Sequence, residues 1–283
     1  MPPRTTPTER QKRLGSELRR MRTAAGMTAD QAAGLLGLDR AKISNIETGI
    51  RTISPERLRT LACNCACSDE AYVEALVSMA RPNGRGWWER YRGSLSPGLL
   101  DIAELESYAV RMRTAHTAHI PGLFQTSDHA LELFRAVLPP LPEHEIALRL
   151  AFRAERQHVL AGENPPEYVG IVHEAALRMQ FGGPKVARAQ LDHLFTVSEH
   201  PAVRLLVIPF VAGTFPGAGQ TVNYLEGPVP QLDTAQVDRA HGPEFLGGEA
   251  QLAKYRAHLD WMERIALSPE ASRDFIRDIA SSL

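Results

Sequence analysis

The stretch Thr28-Ala29-Asp30-Gln31-Ala32-Ala33-Gly34-Leu35-Leu36-Gly37-Leu38-Asp39-Arg40-Ala41-Lys42-Ile43-Ser44-Asn45-Ile46-Glu47 decides the architecture of the N-terminal part of the chain. Thr28 and Gln31 have the Thr-x-x-Gln spacing of a capping box, in which the threonine oxygen caps a free amide and the glutamine reaches back. The pattern predicts a helix over about 29–36 with Ala32, Ala33 and Leu36 on its inner face. Gly37-Leu38 makes a tight turn, and Asp39 is the N-cap of a second helix ending at Thr48-Gly49. Ile43 and Ile46 face inward from that second helix.

Working outward, Leu14, Leu18 and Met21 recur at i, i+4 and i+7, so a helix from about Thr8 to Ala24 precedes, ended by Gly26. Ser54-Pro55-Glu56 opens a further helix with an N-cap serine, proline at the first helical position and a carboxylate at the positive helix end. The chain therefore begins with a mainly α domain of about five helices. At its centre two short helices cross on small alanines around a glycine turn. This is a helix-turn-helix, whose second helix lies in the major groove with its N-terminal residues at base edges. Here those residues are Arg40, Ala41 and Ser44. A guanidinium can donate twice to guanine, which makes Arg40 the first candidate reader. Ala41 fits a thymine methyl, and Ser44 discriminates less.

Charge agrees. Of the 32 Lys+Arg and 33 Asp+Glu, Met1–Ala66 holds 12 basic and 6 acidic residues, leaving 20 and 27 downstream. A basic head on an acidic body suits one surface that meets phosphates and another that does not. Only four basic residues are lysine (Lys12, Lys42, Lys185 and Lys254), an arginine bias expected of a GC-rich genome. Met1 to Pro7 lacks the apolar stretch of a signal peptide, and the apolar run around Leu205–Ala212 is too short to span a bilayer. Cys63, Cys65 and Cys67 have no partners elsewhere in the sequence, which excludes a secreted disulfide framework and points to the cytoplasm.

The motif at Gly26-Met27-Thr28, Ala32-Ala33, Leu36-Gly37-Leu38, Ile43-Ser44-Asn45-Ile46-Glu47 and Gly49 resembles the Xre family of lambda-repressor-like regulators over about Arg13–Ala62. The resemblance implies phosphate contacts for Thr28, Lys42, Asn45 and Arg51. It also exposes a departure: Ala29 stands where a polar residue that touches phosphate is often found. Trp88-Glu89-Arg90-Tyr91, Ile120 to Thr126, Arg153 to Gln157 and His173 to Arg178 resemble a C-terminal domain of unknown function joined to Xre-type domains in actinobacteria. Such proteins are described as antitoxin-like regulators, often encoded beside a short partner protein.

The composition shifts near Pro82-Asn83-Gly84, which places the domains at 1–82 and 83–283. Beyond it, Asp101–Arg113 and Pro142–Leu160 read as helices, and Tyr168–Val172 and Val203–Ile208 as buried strands. A helix at Lys185–Ser198 between those strands makes a β-α-β unit. Thr221–Leu225 and Thr234–Asp238 are weaker strands, and helices at about Glu249–Ala266 and Pro269–Ser282 close an α/β regulatory domain. Trp87, Trp88, Tyr91, Phe124, Gln125, Arg153 and Arg156 are its candidate effector or partner residues. Arg153 and Arg156 can also be read as ion pairs with Glu155 or Glu174, and the three tryptophan and tyrosine rings as docking the connecting segment. Glu47 reads as structural, paired with Arg19 or Arg22.

Cys63-x-Cys-x-Cys67 lacks the second pair a structural zinc site needs and reads as cysteines packing at a helix end. His116, His119 and His129 lack a carboxylate partner motif and read as surface histidines. No metal and no cofactor are expected. The sequence carries no Gly-x-Ser-x-Gly elbow, phosphate loop, dinucleotide fingerprint or His-Glu-x-x-His, and no enzyme is expected. The expected function is that of a homodimeric regulator of a double-stranded operator, controlled through the C-terminal domain by a small partner protein or a small-molecule effector. The alternative is an antitoxin-like interaction module whose main role is to bind a small partner protein.

Overall fold

The computed structural model describes residues 6–81, 86–217, 219–239 and 241–283. The composition shift at Pro82-Asn83-Gly84 and its boundary lie outside these. The chain divides into two units, one of Met1–Glu89 with Pro228–Leu232 and one of Arg90–Gly227 with Asp233–Leu283.

The first unit is helical. Its helices are α1 (Glu9–Ala24), α2 (Ala29–Leu36), α3 (Arg40–Glu47), α4 (Pro55–Asn64) and α5 (Glu70–Ala80). The expected caps are in place. Thr28 and Gln31 form a complete capping box, Asp39 accepts from the Lys42 amide, and Ser54 accepts from the Arg57 amide. Thr8 and Gln11 form a second capping box, beyond the expected one. Leu14, Leu18, Met21, Ala32, Ala33, Leu36, Ile43 and Ile46 join Leu58, Leu61 and Leu76 in one core. Two glycines let α1 meet α3 at close range. A Cβ on Gly15 would lie 2.5 Å from the carbonyl oxygen of Ile46. One on Gly49, where φ is +78°, would lie 2.7 Å from the backbone of Gln11.

The second unit is α/β. Its elements are α6 (Pro97–Tyr108), β1 (Arg111–His116), α7 (Ser127–Arg135), α8 (Glu143–Gln157), β2 (Glu167–His173), α9 (Glu174–Arg178), α10 (Gly183–Val197), β3 (Val203–Ile208), β4 (Val222–Glu226), β5 (Thr234–Arg239), β6 (Gly242–Leu246), α11 (Glu249–Ile265) and α12 (Pro269–Ser281). They form a mixed six-stranded sheet in the order β3-β2-β1-β4-β5-β6. β1, β2 and β3 run parallel, and β4 to β6 add antiparallel beyond β1. Alternation along β2 explains the layering. Tyr168 and Val172 enter the core shared with α10 and α12, whereas Val169 and Ile171 enter the core shared with α11. Gly170 is needed between them, because a Cβ there would lie 2.7 Å from the ring of fully buried Phe124.

The β2-α10-β3 unit lies where the sequence placed it, as do β4, β5, α8, α11 and α12. The helix expected over 101–113 ends at Tyr108, and Arg111–His116 forms the central strand instead. The charged residue that disguised this strand is Arg113. Its guanidinium is buried against α11, with Nη2 2.7 Å from Asp260 and Nε 2.8 Å from Glu263. Helix α7 and the edge strand β6 are additions to the elements expected from the sequence. Among the described residues no helix is long and apolar enough to cross a membrane.

Candidate functional site

Along α3, Arg40, Ala41, Ser44, Asn45 and Thr48 are exposed, while Ile43 and Ile46 are buried. The exposed positions follow i, i+1, i+4, i+5 and i+8, one continuous stripe on a helix fastened by its opposite face. Two further devices hold it. Arg22, on α1, donates to both carboxylate oxygens of Glu47, at 2.5 and 3.0 Å, and its Nη1 donates to the carbonyl of Met27 at 2.6 Å. Glu47 is thus consumed as a brace, as expected of it. The carbonyl of Asn45 accepts from the Arg51 amide at 2.9 Å, which folds the segment after α3 back on its C-terminal end.

The candidate contact residues surround this stripe. Arg40 is exposed and reaches Asp30 at 3.4 Å. Lys42 pairs with Asp39 at 2.8 Å. The hydrogen bonds from the Lys42 side chain and amide hold the Asp39 carboxyl below its usual range. Thr28 spends its oxygen lone pair on the Gln31 amide at 3.2 Å, which leaves the hydroxyl proton to donate outward. Asn45 and Arg51 are exposed. Ala29 is half-buried against the helical core and offers no polar group.

The candidate effector residues are dispersed. Trp87 and Trp88 meet edge-on at 5.9 Å and fall in the first unit, whereas Tyr91 falls in the second. The Tyr91 hydroxyl donates to Glu155 at 2.5 Å, and its ring meets Phe152 edge-on. Phe124 is core. The ion pairs expected of Arg153 and Arg156 are not those found. Glu155 is taken by Tyr91 and Arg90, and Glu174 by Arg178. Arg156 is instead held by both oxygens of Glu106, at 2.6 and 2.9 Å, and Arg153 donates to the side-chain oxygen of Gln125.

Gln125 belongs to a loop stitched by glutamines. Its own amide donates to Ile120 at 2.6 Å, Gln157 donates to Gln125 at 2.7 Å, and Gln190 donates to Phe124 at 2.7 Å. These amides satisfy carbonyls that a buried loop would otherwise leave bare.

The histidines require a correction. His119 is exposed, but His116 and His129 are buried, at 7% and 2% exposure. Burial pulls both well below the usual range, to about 4, so both rings are neutral at pH 7. Cys65 and Cys67 pack against the helical core, whereas Cys63 is exposed rather than packed. No group of three or more metal-ligating side chains occurs among the described residues.

A braced helix presenting a basic and polar stripe, preceded by a capped helix and a glycine turn, defines a helix-turn-helix DNA-binding protein of the transcription-regulator class. Residues 13–76 match the helix-turn-helix domain family. Residues 99–278 match the family described as a domain of unknown function, DUF5753, and the chain belongs to that family. No curated protein and no solved structure matches it.

Proposed function

We propose that this protein is a sequence-specific transcriptional regulator of the Xre, lambda-repressor-like type, acting in the cytoplasm and without catalytic activity of its own. The observation that carries the reading is the exposed stripe on α3 opposite a buried and ion-paired face. Arg40, Ala41 and Ser44 read base edges in the major groove, and Thr28, Lys42, Asn45 and Arg51 fix the register on phosphates. One such helix covers only a few base pairs, so two copies bind as a homodimer on half-sites about one helical turn apart. The DUF5753 unit holds the dimer together and sets the response to a small effector or a small partner protein, in the antitoxin-like manner of actinobacterial relatives.

Genome-wide mapping of bound DNA, followed by footprinting with purified protein, tests this. Discrete peaks sharing a palindromic motif are expected, one of them upstream of the protein's own gene. Diffuse binding without a motif, lost steeply with salt, would reduce the basic unit to nonspecific affinity. The alternative of a partner-binding module would then take its place.

A further inference from the structure

Near the carboxyl end of β1, the second unit gathers side chains with buried nitrogens that have no hydrogen-bond partner among the described residues. His116 is the last residue of β1. Its Nε2 lies 3.3 Å from Asn223 Oδ1, and its Nδ1 is buried with no partner among the described residues. His129, on α7, is buried, and neither ring nitrogen has a hydrogen-bond partner among the described residues. Arg153, on α8, lies over the Phe134 ring at 4.7 Å and donates from Nη1 to Gln125, yet its Nε is buried and unpaired.

Arg153 acts on both histidines: after burial, the charges of His119 and then Arg153 lower their pKa. Burial likewise pulls the Arg153 guanidinium down to about 9, which leaves it charged at neutral pH. Among the described residues it forms no ion pair. Arg156, one helical turn along, has Glu106 on two of its nitrogens, Nε and Nη2. Asp238, at the exposed end of β5, also acts on Arg153 and His116 through its charge; it accepts from Gln236 at 2.8 Å and does not pair with Arg153.

The position is also distinctive. From β1 the chain moves outward on one side through β2 to β3, then crosses to β4 on the other side of β1. In open parallel sheets ligands sit outside the carboxyl ends of the strands at a reversal of order; here β1 presents its carboxyl end beside the amino end of antiparallel β4. His116 and Asn223 stand across that β1–β4 boundary. A half-buried guanidinium whose Nε is shut away from solvent, and on which Glu106 and Asp238 act only from beyond ion-pair distance, has room for a closer counter-charge, which a bound anion supplies.

We propose that Arg153, His116 and His129, with Gln125 and Asn223 beside them, form the binding site for a small organic anion bearing a carboxylate or phosphate group. The guanidinium takes the anionic head, and neutral His129 offers one N–H donor and one acceptor, whereas His116 spends its N–H on Asn223 Oδ1 and its Nδ1 can only accept, from a hydroxyl of the ligand. The proposal rests on the C-terminal unit being the one that senses an effector. It places that effector at the β1–β4 boundary rather than at the tryptophan pair.

The test is calorimetric titration of the full chain with inorganic phosphate and, separately, with succinate, at ionic strength matched with chloride. Saturable one-site binding of at least one probe is expected. Phosphate alone would indicate a phosphorylated ligand, and succinate alone a carboxylic acid. Anion binding should survive in a Lys42→Ala/Arg51→Ala double variant, which removes the two cations assigned to phosphates on the DNA-facing surface. It should weaken by about tenfold or more in Arg153→Met, as expected for loss of a charge-assisted contact. Arg153→Lys, which keeps the charge but loses the planar fork, should bind more weakly than the native chain.

No saturable binding of either probe at millimolar concentration would overturn the proposal, and so would binding unaffected at Arg153. These titrations contain no DNA, so a failure here leaves the footprint to decide the regulator reading separately.

Discussion

Arg40 is held in the free protein by Asp30, at 3.4 Å between side chains that are 73% and 67% exposed. So exposed a pair contributes about 0.2–1 kcal/mol, whereas a bidentate contact to guanine discriminates by about 1–3 kcal/mol. The arginine can therefore exchange its partner on meeting the right base. Arg40→Ala should cost about 1–3 kcal/mol on the operator and little on random DNA, as read by quantitative footprinting. Equal losses on both would make Arg40 a backbone contact. Lys42 should behave differently: Lys42→Ala should weaken all sequences alike and reduce the salt slope by about one. Gly15 is a residue of another kind, since it binds nothing. Its missing Cβ would meet carbonyl oxygens of Ile46 and Glu47 at 2.5 and 2.6 Å, and backbone cannot yield as a flexible side chain can. Gly15→Ala should destabilise the first unit by at least about 2 kcal/mol in urea unfolding. A change of a few tenths would mean that α1 shifts freely against α3.

Among the elements, those with local signals were legible in the sequence and those with distant partners were not. The bounds of α2 and α3 follow from Thr28, Gln31, Gly37 and Asp39, all within a few residues of the turns they cap. β1 has no such signal. Its Arg113 is neutralised by Asp260 and Glu263, up to 150 residues away in sequence, so a central strand looks like a charged helix end. His116 was misread for the same reason: its burial is set by what packs around the strand, not by its neighbours in sequence. The stripe on α3 was readable because one helical period places Arg40 and Ser44 opposite Ile43 and Ile46. The cluster at the β1–β4 boundary was not, since it draws on β1, α7, α8 and β4.

The same cluster gives the sheet a pH dependence with a definite sign. His116 and His129 titrate near 4 in the folded unit, against about 6.5 in an unfolded chain. Between those values the unfolded chain binds more protons, so stability is full above about pH 6.5 and falls as pH drops toward 4. Each pKa unit of difference is worth about 1.4 kcal/mol. The unfolding midpoint of the C-terminal unit should therefore fall between pH 7 and 5, and His116→Asn with His129→Gln should flatten that slope. A midpoint rising toward pH 5 would show that these rings gain protons on folding.

For the molecule as a whole, the distribution of charge bears on how the basic unit meets DNA and on the proposed pairing of two copies. The first 66 residues carry a net charge of +6 and the remainder −7. The acidic remainder is repelled by DNA, so approach is oriented and the basic unit arrives first. Each phosphate neutralised releases counterions, and the logarithm of affinity falls against that of salt with a slope of about −0.9 per contact. With Thr28, Lys42, Asn45 and Arg51 on phosphates, only the two cations release counterions in full. A single copy should then show a slope near −2, and a dimer on two half-sites about twice that. Light scattering on the free protein and on the protein–operator complex fixes the copy number independently. Two chains per palindrome with the doubled slope are expected. A monomer at micromolar concentration, with and without operator, would leave the basic unit too few contacts to hold a specific site, and the homodimer would have to be abandoned.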